Sequence, residues 1–191
     1  MSGFDISVQW RTTLVAENGD AYYFPDKFTS YFREFCAISA VYRWRVMRIS
    51  GEPKEPIYIG EAEDLVYRIQ RVLTPHRNSK RGNTNERLNK IFHEYLAAGK
   101  KIVLDIADIE PFELNGVRFD KHGLGDRFKR RAVEHLLLAI AQESRGFELL
   151  NMVVDPLDKV ERMFKKLKPH ERREILKRYG SDSPSNEKES G

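Results

Sequence analysis

Between Val41 and Ile49, residues Val41, Arg43, Arg45, Met47 and Ile49 alternate with Tyr42, Trp44, Val46 and Arg48, and this period of two predicts a strand. The turn-forming stretch Ser50 to Pro56 separates it from a second run, Ile57-Tyr58-Ile59-Gly60, so the two are expected to pair as a hairpin. From Glu61 to Leu73 the period lengthens. Leu65, Ile69, Val72 and Leu73 fall within about 100° of one another on a helical wheel, and Thr74-Pro75 stops the helix. His76 to Asn83 is a polar, basic loop. A second helix is predicted over Asn85 to Ala98, with apolar residues at Leu88, Ile91, Phe92, Tyr95 and Leu96 and a stop at Gly99. Lys101 to Ile106 is a short third strand. Asp108 to Gly125, punctuated by Pro111, Gly116, Gly123 and Gly125, reads as an insertion that is partly hairpin. Asp126 to Glu143 is a strong helix, Leu149 to Val153 a short apolar piece, and Pro156 to Tyr179 a basic helical pair broken at Pro169. Residues 1 to about 30 mix short apolar pieces with turn signals at Asn18-Gly19 and Pro25-Asp26, as in a short hairpin or an irregular extension.

The chain has 191 residues, 40% of them hydrophobic and 32% charged. That is one domain with enough apolar side chains for a core. It has no run of roughly 18 apolar residues and no leader-like start, so no membrane association and a cytoplasmic location are expected. A single cysteine, Cys36, excludes an internal disulfide and a cysteine-built zinc site, and is expected to be a small buried hydrophobe. The net charge of +4 is unevenly spread. Nine Lys or Arg face three acids between Asp64 and Lys101, and nine face four between Asp158 and Arg178. Two basic stretches in one domain suit a phosphate backbone, or else are two solvated helix faces.

The residues that carry chemistry are Tyr42, Tyr58-Ile59-Gly60, Arg68, Glu134 and Asn151. Taken singly each has a plain structural reading: half-buried sheet aromatics, a tight strand-to-helix turn, and an ion pair between Arg68 and Asp64 four residues before it. Arg68 lies on the border of the apolar stripe, where an arginine packs its stem and presents its fork to a phosphate. Glu134 has Leu137, Leu138 and Ala141 three, four and seven positions on, so its carboxylate requires a cation: Arg130 or Arg131 one turn back, or a divalent metal.

Together these residues resemble the GIY-YIG nucleases. The first motif is present as Ala40-Val41-Tyr42, departing at its first position. The second is intact as Tyr58-Ile59-Gly60, within the string Tyr-Ile-Gly-Glu-Ala-Glu-Asp-Leu-Val-Tyr-Arg-Ile that ends just past Arg68. Arg-Ala-Val-Glu-His-Leu-Leu around Glu134 looks like the family's metal-binding glutamate helix, and Leu149-Leu150-Asn151 like its closing Leu-Asn. Where members often carry a histidine one turn after the arginine, this chain has Val72, and His76 is the nearest substitute.

The resemblance implies an α/β fold, a small, mainly antiparallel three-stranded sheet flanked by helices. Expected boundaries are an N-terminal extension over 1–37, a nuclease core over 38–155, a basic helical annex over 156–180 and a disordered tail over 181–191. It further implies metal-dependent hydrolysis of DNA, with one Mg²⁺ or Mn²⁺ held by Glu134. Arg68 would neutralise charge on the phosphorus, Tyr42 would take the proton from water with His76 as rival base, Tyr58 would orient water or phosphate, and Asn151 would fix the geometry. Arg71, Arg77, Lys80 and Arg81 of the first basic stretch, and Lys165, Lys166 and Lys168 of the second, are candidate DNA contacts. The expected role is a restriction or defence endonuclease acting on duplex DNA, as a homodimer where both strands are cut. A structure-specific nuclease of repair or recombination and a noncatalytic DNA-binding module are the alternatives.

Overall fold

The computed structural model describes residues 6–16, 34, 36–49, 51–73, 84–114, 116–152 and 155–170. One mixed sheet is built from β1 (Val8–Ala16), β2 (Ala40–Val46), β3 (Glu55–Ala62), β4 (Ile102–Ile109) and, beyond a separate hairpin of β5 (Phe112–Leu114) and β6 (Val117–Phe119), β7 (Phe147–Leu149). The strand order is β1-β4-β2-β3-β7. Three of the pairings are antiparallel and that of β3 with β7 is parallel. Helices α1 (Leu65–Leu73), α2 (Thr84–Ala97), α3 (Arg127–Glu143) and α4 (Pro156–Lys166) flank it, and a 3-10 turn spans Lys121–Gly125.

The expected sheet of three antiparallel strands is therefore corrected to five strands of mixed direction. β4, β2 and β3 form its antiparallel centre. The N-terminal extension supplies β1, whose β-branched and aromatic residues pair with β4 from Val8 opposite Ile109 to Ala16 opposite Ile102. The apolar piece at Leu149 supplies β7 on the opposite edge.

Alternation along the strands sends side chains to two cores. Tyr42, Trp44, Val46, Tyr58 and Leu104 face α1 and α2, where Trp44 meets Phe92 with ring centroids 5.2 Å apart. Val41, Ile57, Ile59 and Ala107 face α3 and the hairpin. Cys36 is fully buried in the first core. α4 closes over α3 through an edge-on contact of Phe128 and Phe164 at 4.8 Å.

The end of β3 and the start of α1 differ from expectation for a local reason, whereas the start of α4 at Pro156 agrees with it. β3 runs on to Ala62 because Glu61 and Ala62 still pair with Val41 and Ala40, so the helix begins only at Leu65, with Asp64 Oδ1 accepting from Tyr67 N at 2.9 Å. α4 begins with Pro156 behind Asp155, whose Oδ1 accepts from Asp158 N at 2.9 Å. His76, Arg77, Lys80 and Arg81, the second half of the expected helical pair and the expected tail lie outside the described residues. Among the described residues no helix is long and apolar enough to cross a membrane.

Candidate active site

β7 is only three residues long and pairs with β3 from Glu55 to Ile57. Among the described residues, the rest of β3 thus lacks a strand neighbour on that side, and residues of both helical layers line the opening there. Asn151 caps the end of the parallel ladder. Its Oδ1 accepts from Ile59 N at 2.9 Å and its Nδ2 donates to Ile59 O at 2.7 Å, one step beyond Leu150 N donating to Ile57 O. A side-chain amide there stands in for the next strand residue, satisfying both polar groups of a buried backbone position.

Tyr42 and Gly60 are register partners on β2 and β3. The Tyr42 ring crosses the place where a side chain at Gly60 would stand, since a Cβ there would lie 2.7 Å from the Tyr42 hydroxyl and 3.0 Å from Tyr58 Cε1. Gly60 is thus required by close approach. Arg68 on α1 donates from Nε to the Tyr42 hydroxyl at 3.1 Å. The expected pair with Asp64 does not form, because that carboxylate caps the helix instead. Tyr42 is fully buried and Tyr58 nearly so, their centroids 6.4 Å apart. Burial and the neighbouring Tyr58 push the Tyr42 phenol well above its ordinary pKa, further than Arg68 lowers it. Without a metal the shift runs opposite to the one that proton abstraction by Tyr42 needs. Tyr42 serves here as the acceptor that fixes Arg68 in place.

Glu134 projects from α3 into the same opening. The two arginines one turn back do not neutralise it, because both turn to Glu61: Arg130 Nε reaches Glu61 Oε2 at 3.0 Å and Arg131 Nε reaches Oε1 at 3.6 Å. Arg130 is itself buried and also donates to the carbonyls of Leu124 and Gly125. Burial, joined by the Glu61 charge, lifts the Glu134 carboxyl to about 7, against the opposing pull of Arg131, Arg68 and Lys159. A carboxylate held in this way fits a divalent cation. Among the described residues no group of three or more His, Cys, Asp and Glu could hold a metal.

Two clefts meet at Tyr58, Arg131 and Glu134. The first, of about 580 Å³, is walled by Arg87, Arg131, Lys159, Arg162 and Lys166, with Glu134 as its sole carboxylate among the described residues. The second, of about 620 Å³, runs along the start of α1 past Arg68 and Arg71. Of the expected DNA contacts, Arg71 and Lys166 face these clefts, whereas Lys165 pairs with Glu161 at 3.2 Å and neither it nor Lys168 lines them. Sequence reasoning missed Arg87, Lys159, Arg162 and His135. His135 lines the first cleft, and its Nδ1 is buried without a hydrogen-bond partner among the described residues. Burial, then the charges of Lys159 and Arg131, hold its pKa down at about 4, so the imidazole is neutral at pH 7. The available signal was its place beside Glu134 on an otherwise apolar helix face. No protein-family model, curated protein or solved structure matches the chain.

Proposed function

We propose that this protein is a metal-dependent DNA endonuclease of the GIY-YIG kind. The observation that carries the reading is the meeting of Glu134, a carboxylate that neither arginine one turn back neutralises, and Arg68, anchored on Tyr42, in the second cleft, with the basic first cleft opening from the same Glu134. Glu134 would hold one Mg²⁺ or Mn²⁺, which when bound supplies Lewis-acid stabilisation of charge on the phosphate. Arg68 presents its remaining N–H groups to the phosphoryl oxygens, where negative charge grows in the transition state. Tyr58, lining both clefts, orients the water or the phosphate. Gly60 and Asn151 keep β3 in register so that these groups stay in place. The cations of the first cleft hold the backbone beside the bond to be cut.

The test is cleavage of plasmid DNA with Mg²⁺ and with EDTA, by the native chain and by Glu134→Gln and Arg68→Ala. Cleavage dependent on the metal, abolished in Glu134→Gln with binding kept, and reduced by orders of magnitude at saturating DNA in Arg68→Ala is expected. Cleavage unaffected by EDTA, or by either substitution, would overturn the assignment.

A further inference from the structure

The two clefts that meet at Glu134 differ in chemistry. In the first, five cations surround one carboxylate, Arg131 being shared with the second cleft and Arg162 also pairing with Asp158 at 2.7 Å, which suits a run of phosphates. In the second, Glu61, Glu63 and Asp64 line the walls along with Glu134. Of its five arginines, Arg68 is tied to Tyr42 and Arg130 and Arg131 to Glu61, which leaves Arg71 and Arg127 beside the four carboxylates. Beyond the one phosphate that Arg68 would meet, a backbone of phosphates gains little there. What this cleft offers instead is Tyr67, 54% exposed one residue before Arg68, with the Arg71 guanidinium stacked over its ring at 4.6 Å. The core would hold such a ring readily, but α1 turns it outward into the cleft. Arg71 holds its plane from one turn further along the helix. An exposed aromatic ring steadied by a guanidinium is a platform on which a nucleobase stacks, and a base reaches it only when released from its partner strand.

Resting on the nuclease reading, we infer that Tyr67 with Arg71 is a stacking site for an unpaired nucleotide next to the bond to be cut. Phosphates of the adjoining strand lie along Arg87, Lys159, Arg162 and Lys166. The substrate class is then DNA with a paired-to-unpaired junction at the cleavage point, cut in preference to continuous duplex.

The experiment uses the full chain carrying Glu134→Gln, in EDTA, with two probes: a blunt DNA duplex, and the same duplex extended by a single strand whose first unpaired base is 2-aminopurine. The extended probe should bind roughly 5- to 100-fold more tightly, the worth of one base–aromatic stack, and its fluorescence should be quenched. Adding Tyr67→Phe should keep the preference and the quenching; adding Tyr67→Ala, at an exposed position that leaves the core intact, should remove both. Equal affinity for the two probes without quenching, or a preference that survives Tyr67→Ala, overturns this inference and leaves the nuclease reading standing. Failure to bind either probe, with no cleavage by the native chain in Mg²⁺, overturns both.

Discussion

Glu134→Gln should make the metal-free protein more stable at pH 8 and leave it almost unchanged at pH 4. The carboxyl titrates at about 7 in the fold against 4.5 as its ordinary value, so above 7 the folded chain must carry a charge that the unfolded chain carries more easily. Below 4.5 both forms are protonated and the penalty vanishes; it builds up as pH rises from 4.5 and is complete above 7. At ~1.4 kcal/mol per pKa unit the gain at pH 8 is on the order of 2 to 3 kcal/mol, read by urea denaturation in EDTA at the two pH values. An equal gain at both would mean that repacking, not charge, is responsible. Gly60→Ala tests the other half of the site. A methyl group 2.7 Å from the Tyr42 hydroxyl must move the ring that fixes Arg68, at a cost of about 1 to 3 kcal/mol. The rate at saturating DNA should fall more than affinity does, and native kinetics in a folded variant would show that the Tyr42–Arg68 bond does not matter.

At the scale of elements, α4 brings Lys159, Arg162 and Lys166 to the cleft that Glu134 lines. Neutralising Lys159, Arg162 and Lys166 should flatten the dependence of log affinity on log salt, by roughly 0.9 for each phosphate that the helix no longer neutralises, while Lys165→Gln, on the side paired with Glu161, should leave the slope alone. Equal slopes in all variants would remove α4 from the binding surface. The helices, the β2–β3 hairpin and the third strand were legible in the sequence because their apolar periods are local. β1 and β7 were not, because their partners β4 and β3 lie some ninety residues away: Thr12 bonds Asp105, and Asn151 bonds Ile59. Likewise the residues on one motif string or helix face (Tyr58, Arg68, Glu134) could be named in advance. Arg87 and Lys159 become part of a site only when α2 and α4 are folded against the same edge. The choice of Arg130 and Arg131 for Glu61 over Glu134 was equally hidden, since Glu61 lies on a different element.

On the scale of the whole molecule, the strands on either side of β4 are clamped by one buried acid. Asp105 accepts from Thr12 on β1 at 2.7 Å and from Arg43 and Arg45 on β2 at 2.8 and 2.6 Å, and Arg43 also lies over the Trp10 ring at 4.2 Å. Burial opposes the charge of Asp105, but the bonds from Arg45, Thr12 and Arg43 outweigh it and keep the carboxyl below its ordinary value. Its contribution to stability is present above the ordinary aspartate range and is lost as pH falls through the lowered folded value. Asp105→Ala should cost about 3 to 5 kcal/mol, because two partly buried arginines are left without their shared acceptor; a loss under about 1 kcal/mol in chemical denaturation would show the cluster to be solvent-screened. The pairing of β1 with β4 also sets a timetable for synthesis. β1 leaves the ribosome about ninety residues before the strand that covers it, an interval of roughly 5 to 20 seconds at ordinary elongation rates. Throughout that interval Trp10, Leu14 and Val15 have no sheet to join, so the strand that completes the finished fold is the segment of the nascent chain most open to wrong partners.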